Sequence, residues 1–517
     1  MRASPLVAKL AAPAFAAAAC LDPIERVPLV IPGAQPPFAK LADPALSSFS
    51  LEFQYWPVYA GNATGQPNHY VNNLLSNLGN RTGTTPAVRV GGTSENTAVV
   101  NTSLQVWNPA QLKEVFGPFV TRSTTLIGKD WYALAGNLPV GTELTFGLNL
   151  YNDSQVAAQT KMLAEAFQGS RRSLTKDVTL KYIQIGNEPN FYFFNATEFA
   201  DHWRTLAQTV MRNIKMGGNK NPAFWVGSEV IAEEFGPPFQ LTGTLDAGIL
   251  DDKNVSEIAP VLEEHLYSGS SGRGAVPGGP PPGTLMDKQS IRGNLSLLYN
   301  GVLNVESYNK TYYLGETNTY GRQAIFGLSN TGESAIWTVD YMLKAAAMGI
   351  KRVYLHSTPN RLFAVFQPGW GFTNGTGIER PHIMPMYNGL LVVNEMIGSS
   401  GRSKIAEIEN GNAGLSTYGV WEQNKLKKLV LINSNVFTEA SAARSAFNVT
   451  LGGRNVGRQA TVKRLSIPYT NSTSGITWAG QSFETESGVP SGHPKEENMN
   501  GATVTVAASE VVLVQFK

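Results

Sequence analysis

Over the first 400 residues, apolar positions follow two alternating rhythms. Short runs rich in β-branched and aromatic residues fall at 48–56, 87–91, 144–150, 182–186, 223–228, 260–267, 311–315 and 352–356. Between several of them lie longer stretches, such as 154–167, 196–214 and 333–348, where apolar residues return every three or four positions. A short continuous or alternating run marks a strand, and a period near 3.6 marks a helix that buries one stripe. Eight strands interleaved with helices predict an α/β fold of the (β/α)8 TIM barrel type. In such a barrel the chemistry sits on the loops that follow the strands' C-terminal ends.

Beyond residue 400 the rhythm changes to short alternating runs at 415–423, 427–433, 446–451, 460–465, 476–478 and 503–516, with turn residues and no helix-length stripe between them. This pattern predicts a C-terminal antiparallel β-sandwich. Residues 27–31 precede the first barrel strand and could complete that sandwich. The expected organisation is a signal segment over 1–20, an N-terminal segment over 21–45 that lends a strand to the sandwich, a catalytic barrel over 46–388 and the sandwich over 389–517. Two Gly/Pro-rich insertions, 268–283 and 358–388, follow strands six and eight and would overhang the barrel mouth.

Composition narrows the partners. Among 517 residues only 15% are charged, and 41 Lys and Arg against 39 Asp and Glu leave a formal charge of +2. No electrostatic footprint for nucleic acid or an anionic membrane is present, so a small or neutral ligand is expected. A single cysteine, Cys20, excludes an internal disulfide framework and multi-cysteine metal sites. Residues 1–20 carry Arg2 and Lys9 before a small apolar run, which resembles a secretory signal. No other segment approaches the ~18 apolar residues of a membrane span. Asn-x-Ser/Thr occurs eleven times, at Asn62, Asn80, Asn101, Asn152, Asn195, Asn254, Asn294, Asn309, Asn374, Asn448 and Asn471. The expectation is a secreted, extracellular protein with N-linked glycans and no membrane partner.

The six histidines form no HExxH pattern, and no G-x-S-x-G elbow, G-x-G-x-x-G turn or P-loop occurs, so neither a metal nor a cofactor is expected. What remains is carboxylate chemistry. Glu188 follows strand four in Ile185-Gly186-Asn187-Glu188-Pro189-Asn190, and Glu316 follows strand seven in Tyr313-Leu314-Gly315-Glu316-Thr317-Asn318. Cleaving an acetal with retention requires one carboxyl that protonates the leaving oxygen and one carboxylate that attacks the anomeric carbon, about 5 to 5.5 Å apart. Glu229, Glu263 and Glu264 are rival carboxylates and read as structural. Arg89 reads as a structural cation beneath the carboxylates, His265 equally as a satisfied strand-end histidine or a substrate contact, and Phe363, Phe366, Trp370 and Phe372 as loop packing.

An Asn-Glu pair after strand four and a Glu after strand seven resemble the clan A retaining glycosidases. Within that clan the chain resembles glycoside hydrolase family 79, the β-glucuronidases and heparanases. The matching segments are Arg89-Val90-Gly91-Gly92-Thr93, Phe146-Gly147-Leu148-Asn149, Gly186-Asn187-Glu188-Pro189-Asn190, His265-Leu266-Tyr267, and Gly315-Glu316-Thr317 followed by Tyr320-Gly321. The resemblance implies Glu188 as acid/base and Glu316 as nucleophile, with Asn187 at the sugar 2-hydroxyl and Tyr267 hydrogen-bonded near the nucleophile. It also implies a uronate carboxylate held by Tyr320 and backbone N–H groups at Gly321. Members that cut heparan sulfate continue with a glycine run, whereas this chain reads Gly321-Arg322-Gln323. The implied activity is that of a retaining exo-β-glucuronidase. It would release terminal β-glucuronic acid, with or without a 4-O-methyl group, from polysaccharide or glycan side chains by double displacement. Two alternatives stay open: a clan A retaining β-glycosidase acting on neutral sugars, and a carbohydrate-binding wall protein without turnover.

Overall fold

The computed structural model describes residues 24–107, 124–232, 236, 239–271, 280–322, 324–369, 380–453, 459–499 and 501–517. The expected signal segment with Cys20, and also Asn374, Gln323, Trp370 and Phe372, lie outside them.

All eight barrel strands form. They are Ser47–Glu52, Val88–Gly91, Glu143–Leu148, Thr179–Ile185, Ala223–Val230, Val261–Tyr267, Thr311–Asn318 and Arg352–Ser357, called here barrel strands one to eight. Neighbours pair in parallel, and strand eight pairs with strand one from Val353↔Ser47 to Ser357↔Leu51, which closes the ring. Both strand faces are covered, which is why the runs read as apolar on both sides: every residue of strands two and eight is buried. The interior changes character along the barrel axis. Tyr182, Trp225, Tyr313 and Tyr354 form an aromatic plug, with Trp225 and Tyr354 ring centroids 4.8 Å apart. Two residues on, the same period-two face of strand six passes from Val261 to Glu263, His265 and Tyr267, so polar groups replace aromatics toward the C-terminal mouth.

Helices Asp153–Phe167 and Ala196–Asn213 start where Asn152 and Asn195 cap them, each accepting from backbone N–H groups two or three residues on. Helix Gly332–Met348 is buried along almost its whole length, and helix Pro385–Ile397 packs between it and helix His69–Thr82. The boundary expected at 388/389 therefore cuts a helix. The barrel side extends through Ile397, because Tyr387 donates to Leu74 O and Asn394 to Leu78 O on the first barrel helix.

The C-terminal part is antiparallel. A large sheet runs through Lys404–Glu407, Leu415–Glu422, Lys425–Asn433, Glu510–Phe516 and Ala460–Ser466. A smaller sheet pairs Ala446–Gly452 antiparallel with Thr503–Ala507 and parallel with the N-terminal strand Ile24–Val30. Alternation sorts the large sheet's faces: Leu429, Leu431, Val512 and Val514 meet the small sheet, whereas Val430, Ile432, Val511 and Leu513 join the barrel's core. The Arg292 guanidinium, bonded to both Asp340 and Glu407, fastens the same junction. Among the described residues no helix is long and apolar enough to cross a membrane.

Strands five and six also bury two carboxyls in register, Glu229 and Glu264. Burial pushes Glu229 up to about 8 and Glu264 up to about 7, although Thr244 donates to the first and Tyr312 and the Leu241 N–H to the second. In the unfolded chain such groups ionise near ~4.3. Between that value and 7 to 8 the folded state holds more protons than the unfolded state, so stability is greatest at the acid end and declines as pH rises. Thermal unfolding at pH 5 and pH 8 should show a Tm a few degrees, roughly 2–8 °C, lower at the higher pH, and Glu229→Gln should shrink that gap. An unchanged gap in the variant would assign the pH dependence to other groups.

Candidate active site

Strand geometry delivers two carboxylates to one mouth. Glu316 lies within strand seven rather than after it, since the strand runs on to Asn318, and an irregular register against strand eight between Leu314 and Thr317 accommodates it. Glu188 sits just past strand four with φ 48 and ψ 57. A non-glycine residue in the left-handed region, directly before Pro189, is sterically disfavoured and costs about 1–3 kcal/mol. The neighbouring strand end holds it there: the Glu188 N–H donates to Ser228 O at 3.0 Å, and Ser228 is itself at φ 80 with its hydroxyl donating to Gly186 O.

A carboxylate oxygen of Glu188, one of Glu316 and a ring nitrogen of His265 all lie within 4.8 Å of one another. Glu188 retains 15% of its side-chain exposure and Glu316 7%, so both still reach the mouth. Glu316 is gripped from several sides. Tyr267 donates to Oε1 at 2.7 Å, Arg89 donates to Oε2 at 2.8 Å, and His356 Nδ1 lies 3.3 Å from Oε2. Among the described residues Glu188 instead meets one hydrogen-bond partner, His265 Nδ1, at 3.2 Å from Oε1.

The two environments push in opposite directions. Burial raises the Glu188 carboxyl, the His265 hydrogen bond opposes that rise, and the Glu316 charge adds to it, leaving it above the ordinary value. Burial also acts to raise Glu316, but His356, His265 and Arg89 outweigh it and hold that carboxyl well below the usual range. One group thus keeps a proton while its neighbour stays ionised. The three clustered atoms of Glu188, His265 and Glu316 are close enough to surround a cation, yet Arg89 already supplies the positive side of Glu316, and a divalent ion would have to compete with it.

Arg89 organises the layer beneath. Fully buried, it donates to Gln184 Oε1 at 2.6 Å, Ser50 Oγ at 2.8 Å, Asn187 Oδ1 at 2.7 Å and Glu316 Oε2. Burial acts to weaken its hold on the proton, but the fields of Glu316, Glu95 and Glu263 outweigh that and hold it above the ordinary value. The Asn96 side chain makes two 2.8 Å bonds to the Asn187 backbone, donating through Nδ2 to its carbonyl and accepting at Oδ1 from its N–H, which fixes the turn before Glu188. Glu95, Asn96, Gln184, Ser50 and His356 were not legible as site residues. A faint signal did exist in the motif glycines: a Cβ on Gly147 would lie 1.8 Å from Glu95 Oε2, and one on Gly315 would lie 2.0 Å from Glu263 Oε2.

Of the residues singled out from sequence, the structure brings Glu188, Glu316, Asn187 and Tyr267 together around Arg89. Arg89 lies under the carboxylates as a buried cation, and His265 contacts Glu188 directly. Tyr320 and Gly321 stand apart. The Gly321 N–H donates to Gly269 O at 2.9 Å, and Ser271 caps the Gly321 carbonyl, so the backbone donor assigned to a uronate is already engaged in tying two loops together. The Tyr320 ring packs against Gly269, its hydroxyl makes no hydrogen bond with a described residue, and burial together with Glu333 pushes the phenol up to about 12. It is a protonated donor. Phe363 and Phe366 are buried, as loop-packing residues would be.

Residues 417–513 match the sequence profile described as the glycosyl hydrolase family 79 C-terminal beta domain. A β-glucuronidase of Neurospora crassa is 27% identical over 86% of this chain and 85% of its own length. A β-glucuronidase of Aspergillus niger is 24% identical over 91% of this chain and 88% of its own. Among solved structures, a 4-O-α-L-rhamnosyl-β-D-glucuronidase from Fusarium oxysporum 12S superposes with a TM-score of 0.76 at 22% identity, covering 95% of this chain and 100% of that one, a likeness of fold. A C-terminal sandwich that matches the family 79 domain and two β-glucuronidases similar across most of both chains support a likeness of this chain to glycoside hydrolase family 79.

Proposed function

We propose that the protein is a retaining exo-β-glucuronidase in which Glu316 is the nucleophile and Glu188 the acid/base. The observation that carries the reading is the pair itself: two carboxylates with oxygens within 4.8 Å, one held ionised and the other held toward its acid form. That spacing suits attack by one carboxylate, since inversion needs about 6.5–9.5 Å to seat a water between them. The preference for a glucuronide is supported by the named activities of the Neurospora, Aspergillus and Fusarium proteins. The last of these releases a 4-O-substituted uronide, which favours a terminal glucuronic acid that tolerates a group at O4, such as a methyl ether on a polysaccharide side chain.

In the first step a Glu316 oxygen attacks the anomeric carbon as the Glu188 proton passes to the departing glycosidic oxygen, leaving a glycosyl ester on Glu316. Arg89 and Tyr267 aim the attacking group and later stabilise it as it departs. Once Glu316 is esterified, a charge that raised Glu188 is gone. Glu188 then takes a proton from the water that attacks the anomeric carbon, and Glu316 is released. Asn187, fixed by Arg89 and Asn96, directly precedes Glu188 and shares the Arg89 guanidinium with Glu316, and it is the group we assign to the sugar 2-hydroxyl. No metal or cofactor enters any step.

We infer further that the protein is secreted and carries N-linked glycans. Support comes from the sequons at Asn62, Asn80, Asn254, Asn309 and Asn471, all of them exposed. N-glycanase treatment of protein made in a fungal host should lower its mass, and an unchanged mass would count against export through the secretory pathway.

Glu316→Gln should abolish hydrolysis of an aryl β-glucuronide while keeping the fold, because the amide keeps the shape and removes the attacking charge, with a lower Tm from the weakened buried pair with Arg89. A 2-fluoro uronosyl donor should label Glu316, and a label found elsewhere would remove it from the nucleophile role. For the uronate, the protonated Tyr320 phenol is the donor we assign. Tyr320→Phe should cost about 1–3 kcal/mol of transition-state stabilisation on the glucuronide and little on the matching glucoside. Equal losses on both sugars would give Tyr320 the role of holding the loop and favour a neutral-sugar substrate.

A further inference from the structure

Strand six carries more than one carboxylate whose purpose the reaction above leaves unexplained. Glu263 is fully buried and two residues below His265 on the inward face. Its Oε1 accepts from Gln184 at 3.2 Å. Its Oε2 lies 3.4 Å from His265 Nε2, and neither of those two atoms has a hydrogen-bond partner of standard geometry among the described residues. Strand seven gives up a side chain opposite, at Gly315, where any Cβ would collide with this carboxylate. A charge sealed in a barrel is unfavourable unless something charged answers it.

We propose that Glu263 is a positioning residue: it holds His265 as an imidazolium, and through His265 it sets the pH at which Glu188 gives up its proton. The inference rests on the acid/base reading of Glu188. It follows from the two ends of one ring. His265 presents Nε2 to Glu263 and Nδ1 to Glu188, so a carboxyl group faces each nitrogen. A neutral imidazole has one N–H and must turn a lone pair toward one of these two groups, whereas an imidazolium donates to both.

The surroundings agree. His265 also faces Glu264 on its own strand, Glu316 on strand seven and Glu95 after strand two. Arg89 lies across from Glu263 on strand two, Glu229 from strand five acts on Glu263 and Glu264, and His356 from strand eight acts on Glu188. Burial works against a charge on the ring, but the field of Glu263, then that of Glu316 and the hydrogen bond to Glu188, push His265 up to about 10. An imidazolium at 3.2 Å favours the ionised form of Glu188 and so limits the rise that burial imposes. In Glu263→Gln an amide oxygen can face Nε2, but no charge sustains the second ring proton. The bare Nδ1 then faces Glu188, which can bond to it only by keeping its own proton.

Two measurements test this. In ¹⁵N-histidine-labelled wild-type protein near pH 7.5, the His265 ring, assigned with a His265→Gln control, should give the signature of an imidazolium with two N–H groups. A neutral ring there would overturn the proposal even if no variant folds. In Glu263→Gln the ring should become neutral, and the alkaline limb of kcat/KM on an aryl glucuronide should move up by about one pH unit. A lower kcat/KM at every pH with the limb in place would mean that Glu263 supports only the fold, and would overturn the proposal. Glu188→Gln separates this from the underlying reading. If that variant keeps the wild-type alkaline limb, Glu188 is not the acid and the function proposed above fails, while the histidine spectrum still reports on Glu263 and His265.

Discussion

One buried guanidinium holds this site together. Arg89 joins strand one through Ser50, strand four through Gln184, the turn after it through Asn187, and strand seven through Glu316. A cation in that position cannot be removed without leaving Glu316 unanswered inside the barrel, an imbalance that costs about 3–5 kcal/mol in comparable buried pairs. The polar layer between the aromatic plug and the mouth is therefore a single network whose members constrain one another. Gln184 shows the coupling, since it accepts from Arg89 and donates to both Ser228 and Glu263.

That network also produces the asymmetry on which the chemistry depends. Glu316 and Glu188 are both carboxyls in the same mouth, yet among the described residues Glu316 is surrounded by Tyr267, Arg89 and His356 while Glu188 hydrogen-bonds only to His265. Unequal numbers of donors, rather than different residue types, separate their affinities for a proton. The strained backbone at Glu188 fits the same logic. The left-handed turn aims the carboxyl back over the barrel, and its cost is offset by bonds from Asn96 and Ser228 to the same turn.

Much of this was legible in the sequence because parallel barrel strands bury both faces and so read as short apolar runs, which placed all eight. Glu188 and Glu316 stood out as carboxylates at strand ends within recognisable motifs. Arg89 was read as the cation beneath them, but the rest of the support was not legible, because Ser50, Glu95, Gln184, Glu263 and His356 come from strands and turns far apart in the chain and meet only when the barrel closes. Reading Glu263 as structural captured its burial but not its contact with His265. The boundary at 388/389 failed for a related reason: Pro385–Ile397 is apolar nearly all round, because it lies between the barrel and the sheet, and so offers no amphipathic stripe to mark it. Gly321 was assigned by its place after the nucleophile, and chain order gave no sign that Gly269 would claim its N–H.

The large sheet buries both of its faces, one against the small sheet and one against the barrel's helices. Domains that move relative to one another ordinarily meet across modest, polar interfaces, over which they can rotate cheaply. Here the contact is continuous apolar packing, reinforced by Arg292 bridging to Asp340 and Glu407 and by Lys463 and the Trp478 indole converging on Glu395. A hinge between the two parts would open that interior to water. Sugar entry and product departure are thereby left to the segments that follow the barrel strands, and the sandwich serves as a fixed buttress behind the barrel.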